Sequence, residues 1–105
     1  MTAAPIQGEV WWAEAEDKRR PVLIVTRTDA VPVLNRIMVA PVTRSIRDIP
    51  TEVRLGLTHG LPDDCVASFD NLQPIQRSFL TQRVGELQVE ESDEICRALR
   101  ALADC

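Results

Sequence analysis

Between Arg20 and Thr26 the chain runs Pro21-Val22-Leu23-Ile24-Val25, and no other stretch narrows the choice of fold as sharply. Four branched apolar residues in succession have no polar face. They are too few for a packed helix and suit a strand covered on both sides. Pro21 has no N–H to give to a ladder, so it is expected at the start of that strand. Arg20 then stands at the rim of a rigid element, where a guanidinium can be held and aimed. A second apolar run, Val39-Ala40-Pro41-Val42, leads into Thr43-Arg44-Ser45. Its proline is expected to end regular pairing or to place it on an edge.

The remaining elements are short. Residues 7–13 read as a first strand carrying Trp11 and Trp12, which as neighbours point to opposite faces. One tryptophan suits the core and the other an edge or subunit contact, or else a platform for a stacked base. Residues 14–19 hold five charges in six positions and read as a solvated hairpin loop ending in Lys18-Arg19-Arg20. Strands follow at 34–40, 52–55, 65–69, 71–77 and 83–87, the last broken by Gly85. A glycine-rich turn at 56–64 presents His59 as an exposed side chain. Ser92 is a good cap for a terminal helix with Asp93 and Glu94 in its first turn. In that helix Ile95, Leu99 and Leu102 recur at helical spacing, while Arg97 and Arg100 face away. Short strands and one terminal helix predict a mainly-β fold with α, a small, partly open SH3-like β-barrel of six or seven strands.

The 105 residues suffice for one domain, 1–105, with its own core. The first residues lack the basic start and apolar core of a signal peptide, and no apolar run approaches a membrane span, so the expectation is a cytoplasmic protein without a membrane partner. Cys65, Cys96 and Cys105 lack the close pairing of metal or redox motifs and read as reduced thiols, with Cys105 exposed. The net charge is −4. Residues 1–83 hold ten acids and ten bases, whereas 84–105 hold six acids against Arg97 and Arg100. The deficit belongs to the tail, and the body is free to carry a local basic patch.

One histidine and three scattered cysteines make no metal constellation, and neither a phosphate-binding glycine loop nor a nucleophile elbow occurs, so no metal or cofactor is expected. What remains is arginine beside hydroxyl on two strand rims. That pair suffices for RNA, which carries its own nucleophile in the 2′-hydroxyl; the protein need only align that oxygen and stabilise charge on the phosphorane. His59, the one side chain whose unperturbed pKa suits proton transfer near neutrality, is an alternative acid-base group. The amides of Asn71, Gln73 and Gln76 offer donor and acceptor together and can read base edges.

Five blocks, Gly8-Glu9-Val10-Trp11-Trp12, Arg20-Pro21-Val22-Leu23-Ile24-Val25, Val39-Ala40-Pro41-Val42-Thr43, Pro50-Thr51-Glu52-Val53 and Ser68-Phe69-Asp70-Asn71-Leu72, resemble in order the motifs of the MazF/PemK toxins. The resemblance spans nearly the whole chain. It implies a sequence-selective, metal-independent endoribonuclease of single-stranded RNA, messenger RNA first and ribosomal or transfer RNA second. It also implies a homodimer and a cognate antitoxin with an acidic, flexible tail that occupies the RNA groove. By resemblance, Arg20 matches the catalytic arginine and Thr43 the catalytic threonine, and the products carry a 2′,3′-cyclic phosphate and a 5′-hydroxyl. Lys18, Arg19, Arg44, Ser45 and Arg77, with the three amides, are the expected RNA contacts. The chain departs from the pattern before the arginine. Many relatives have a longer loop there with a contributing glutamate, whereas only eleven residues separate Gly8 from Arg20. The proton acceptor is therefore left to water or to an acid among residues 14–17.

Two rivals share the barrel. A gyrase-poisoning toxin would need a tryptophan near its C-terminus, where this chain ends Leu102-Ala103-Asp104-Cys105. A peptide-binding SH3-like module would want exposed aromatics lining a groove, and only Trp11, Trp12, Phe69 and Phe79 are present, with no tyrosine.

Overall fold

The computed structural model describes residues 4–103, so Cys105 lies outside it. Its strands are β1 (Glu9–Ala15), β2 (Lys18–Ile24), β3 (Arg36–Thr43), β4 (Glu52–Leu55), β5 (Cys65–Ser68), β6 (Gln73–Gln76) and β7 (Leu80–Glu86), followed by helix α1 (Glu94–Leu102). They form one curled sheet in the order β4-β5-β3-β2-β1-β7, with β6 added to β3 as a branch. This half-barrel with a terminal helix is the expected architecture.

The apolar run of β2 is covered on both faces, as its lack of a polar face requires. Leu23 and Val25 join Val10, Ala40, Val42 and Phe69 in one cluster, while Val22 and Ile24 join Trp11, Val31, Ile37 and Val39 in another. β3 alternates in the same way, so these two central strands form the wall between two cores. Each fully buried Val, Leu or Ile contributes about 1.5–3 kcal/mol, and the sheet is held chiefly through them.

Both prolines sit inside strands, contrary to expectation. β2 begins at Lys18 and pairs with β1 from there, but β3 joins its other edge only at Val22↔Pro41. Pro21 therefore lies where that outer edge needs no donor. Pro41 stands where β3 changes partner, from β6 up to Val39↔Gln73 to β5 from Val42↔Ala67. Carried past its proline, β3 ends on Thr43 instead of at residue 40. The expected loop at 14–19 is a tight hairpin, with Ala15 opposite Lys18 and Glu16 at φ 58.

The helix differs from its reading in three respects. It starts at Glu94 after Asp93, with no side-chain cap, and Ser92 belongs to the preceding 3-10 turn. Ala98 is buried beside Ile95, while Leu102 is 40% exposed. Arg97 turns inward: Nη1 donates to the Pro50 carbonyl at 2.7 Å and Nη2 to the Glu52 carbonyl at 2.9 Å. The two Trp11/Trp12 faces are as read, with Trp11 in the core and Trp12 half-buried under the Arg19 guanidinium, 4.2 Å from the ring centroid.

His59 is buried, not exposed. Nδ1 accepts the Gly56 N–H at 3.0 Å, which leaves the proton on Nε2 to be donated to Glu91 Oε1 at 2.8 Å. Burial alone would raise the Glu91 pKa, but the Gln88 N–H and His59 hold it below the ordinary 4.5. Glu9 is similar. Burial raises it, and the Trp11 indole N–H, Arg83 and the Ile6 N–H together bring it below 4.5. Both carboxyls take up protons more readily unfolded than folded. Their stabilisation is complete above about pH 4.5 and is lost as pH falls through the depressed folded values. Thermal melting from pH 6 to pH 3 should show stability falling below about pH 4.5, with a shallower fall in Glu9→Gln and Glu91→Gln. Equal slopes in all three proteins would refute the assignment.

Candidate functional site

β3 pairs with β2 only at Val22–Ile24, so the two strands part beside Lys18–Pro21, and Arg20 stands in the notch between them. Arg20 pairs through its backbone with Ala13, so strand pairing fixes its Cα. Its guanidinium is exposed and, among the described residues, forms neither an ion pair nor a side-chain hydrogen bond. An arginine always carries its charge, and here no carboxylate spends it.

Across the notch the end of β3 presents Thr43, held by its pairing with Val66. Thr43 Oγ1 accepts the Ser45 N–H at 3.1 Å, which leaves the hydroxyl proton free to be donated. Arg20 and Thr43 face one cleft of about 640 Å³ whose walls also include Arg44, Ser45, Arg47, Asn71 and Gln73. Asn71 Nδ2 donates to Ser68 Oγ at 2.8 Å, so its carbonyl end is the free one. Arg44 Nη1 reaches Asp63 Oδ2 at 3.5 Å, an exposed pair worth little.

The cleft thus gathers Arg20, Thr43, Arg44, Ser45, Asn71 and Gln73. Arg20 also borders two smaller hollows. One, of about 360 Å³, has Trp12, Arg19 and Pro62 in its walls. The other, a slot of about 390 Å³, runs past Lys18, Glu16 and Gln73 to Ile75 and Phe79. Arg19 is committed to Trp12 and also donates to Gln82 Oε1 at 3.2 Å. Gln76 and Arg77 are not at the cleft. Antiparallel pairing sets Gln76 against Arg36, at the far end of β3 from Thr43.

Two contributors are absent from the sequence reading. Arg47 lines the cleft, and so does Glu52, which is buried. Glu52 Oε1 accepts the N–H groups of Arg47 and Asp48 at 3.0 and 3.1 Å and so shapes the loop that carries Arg44 and Arg47. Alternation in 52–55 places Glu52 on one face of its strand but does not reveal that a loop folds over it. Glu52→Ala should cost about 1–3 kcal/mol through the two stranded N–H groups, whereas Glu52→Gln keeps an acceptor and should melt near the wild type. Chemical denaturation of both variants checks this, and equal losses would point to charge instead of loop anchoring.

Among the described residues no group of three or more His, Cys, Asp or Glu is placed to hold a metal, and no helix is long and apolar enough to cross a membrane. His59 lies outside the cleft, tied to Gly56 and Glu91. The arrangement is suited to an anion with tetrahedral or trigonal oxygens: a fork of donors from Arg20, one hydroxyl donor, and further guanidinia along the wall.

A family model described as "PemK-like, MazF-like toxin of type II toxin-antitoxin system" matches residues 6–103. A Mycobacterium tuberculosis protein named "Probable endoribonuclease MazF5" is 39% identical over all of this chain and 98% of its own length. The solved structure "Mycobacterium tuberculosis toxin MazF-mt6" superposes with a TM-score of 0.84 at 32% identity, covering 91% of this chain and 96% of that one. Another, titled "Endoribonuclease in complex with its cognate antitoxin from Mycobacterial species", gives 0.81 at 27% identity over 95% and 96% of the two chains.

Proposed function

The chain belongs to the PemK-like, MazF-like toxins of type II toxin-antitoxin systems and is an endoribonuclease; we propose that it cuts single-stranded RNA in the cleft between Arg20 and Thr43. The observation that carries this reading is the unpartnered Arg20 guanidinium set opposite the donating hydroxyl of Thr43 across one cleft. The RNA 2′-hydroxyl gives up its proton as it attacks the adjacent phosphorus, and the 5′-oxygen leaves with a proton taken from water. Arg20 grips two non-bridging oxygens and neutralises the charge that grows on them, while Thr43 donates to one of them. Both interactions strengthen as the phosphorane forms, so they lower the barrier more than they tighten binding. The products are a 2′,3′-cyclic phosphate and a 5′-hydroxyl.

A guanidinium stays charged throughout the working pH range and is a poor base, so the first proton leaves by another route. Among the acids of the first hairpin, Glu14 is engaged by Thr81 and faces Arg19. Glu16 lines the slot with Lys18 and Arg20 and is the hairpin carboxylate beside Arg20. Arg44, Ser45, Arg47, Asn71 and Gln73 hold the flanking nucleotides, phosphate by the cations and base edges by the amides. The enzyme works in the cytoplasm as a homodimer. A cognate antitoxin, a partner of the kind named for a solved relative, blocks the cationic cleft with an acidic segment.

The test is incubation of purified protein with a long single-stranded RNA in excess EDTA, followed by mapping of fragment ends. Discrete cuts ending in 2′,3′-cyclic phosphate are expected and would supply the recognition sequence. Intact RNA from folded, antitoxin-free protein would overturn the proposal.

A further inference from the structure

Arg77 Nε is buried and has no hydrogen-bond partner, the one such side-chain nitrogen or oxygen atom among the described residues. A buried unpaired donor is costly, and native structures keep few of them without a use. Arg77 lines a hollow of about 400 Å³ with Arg36, Asn35, Gln76 and Ser78. Its walls are tied by the Arg77 N–H donating to the Asn35 carbonyl at 3.3 Å and by the pairing of Arg36 with Gln76. Neither arginine forms an ion pair among the described residues, and no carboxylate lines the hollow. Two unspent guanidinia with amide and hydroxyl donors around them make a receptor for an anion. Turned onto a phosphate, Arg77 can present Nε and an Nη side by side, which also satisfies the orphaned donor.

The hollow lies at the other end of β6 from the cleft. The slot beside Arg20 ends on Ile75 and Phe79, and in sequence Gln76, Arg77 and Ser78 lie between those two residues. β3 runs from Thr43, at the cleft, to Arg36, at the hollow, a span of about 23 Å at 3.3 Å per residue. Resting on the ribonuclease function proposed above, we infer that the Arg36–Arg77 hollow is a distal phosphate subsite, which grips the RNA backbone several nucleotides from the bond that is cut. It carries no sequence information of its own. Its effect is to favour long substrates over short ones.

The test uses a fully 2′-O-methylated RNA 20-mer of mixed sequence, which lacks the nucleophile and cannot be cut. Its affinity for the wild type, Arg36→Gln, Arg77→Gln and the double variant is followed by fluorescence anisotropy across salt concentrations. Each lost phosphate contact should lower the slope of log K against log salt by about 0.7, and the double variant should bind about tenfold or more weakly near 0.1 M salt. The charge-matched pair Arg27→Gln/Arg100→Gln, exposed elsewhere, should leave the slope as in the wild type. Arg36 is exposed, so Arg36→Gln keeps the test open even if Arg77→Gln disturbs the turn. An unchanged slope in Arg36→Gln and in the double variant, with tight wild-type binding, would overturn the subsite and leave the cleft reading standing. No binding by the wild type would overturn both. A changed sedimentation mass with an unchanged slope would assign the hollow to a second copy of the chain and also overturn the inference.

Discussion

Arg20→Ala is expected to slow RNA cleavage by about 10²–10³-fold, the scale seen when a donor aimed at developing negative charge is removed. Its melting curve should overlie that of the wild type. The two halves of this expectation have separate origins. The guanidinium is exposed and touches no acid or side-chain acceptor, so its loss removes no folded-state interaction. The backbone of the residue stays paired with Ala13, so the strand keeps its place. Arg20→Lys should recover only part of the rate, because an ammonium restores the charge but not the planar fork that meets two phosphate oxygens together. Single-turnover cleavage of a mapped substrate measures both variants. An alanine variant that folds normally and cuts at full rate would remove Arg20 from the mechanism.

Gly85→Ala should have the opposite signature, a large loss of stability at a position far from the cleft. A Cβ built on Gly85 would lie 2.0 Å from the His59 carbonyl oxygen and 2.5 Å from its carbon. The clash is reciprocal in kind, since a Cβ on Gly60 would lie 2.3 Å from the Val84 carbonyl oxygen. Here two backbones touch directly, and no rotamer change can make room. β7 must separate from the Leu57–His59 turn, which also breaks the pairing of Gly85 with Val10 or the buried His59–Glu91 contact. The cost is on the order of 4 kcal/mol or more, among the largest for single substitutions. For a domain of this size that lowers the melting temperature by roughly 15–30 °C. Calorimetry or thermal circular dichroism measures it, and a shift of only a few degrees would mean that the turn yields easily.

The element order, the two-sided burial of β2 and the terminal helix were legible because each rests on local pattern. Leu23 and Val25 against Val22 and Ile24 is the clearest case: a run without a polar face can only be a wall between two cores. The strand ends beside Arg20 and Thr43 are less legible: β2 begins two residues before Arg20, at Lys18, and β3 runs past Ala40 to Thr43. What pattern does not carry is register between distant segments. Pattern puts Pro41 at the end of regular pairing or on an edge; it lies within β3, at the point on one edge where β6 gives way to β5. Alternation groups Gln76 with Asn71 and Gln73 as outward amides, and Arg77 reads as a base near the rims, but antiparallel pairing with β3 carries Gln76 and Arg77 to the other end of that strand. His59 looked exposed in its glycine-rich turn, and its burial depends on Glu91 arriving from 32 residues away. Glu52 was missed because its role is defined by the loop folded over it.

The branching of β3 has one more consequence, in the order of events as the protein is made. Chains emerge from the ribosome N-terminus first, and domains fold as units. Arg20 and Thr43 are both synthesised early, but the strands that hold the end of β3 in place, β5 and β6, come later, and Asn71 and Gln73 come with them. A nascent fragment therefore contains Arg20 and Thr43 without a cleft to hold them. The cleft can be assembled only after β5 and β6 have been made and have joined β3.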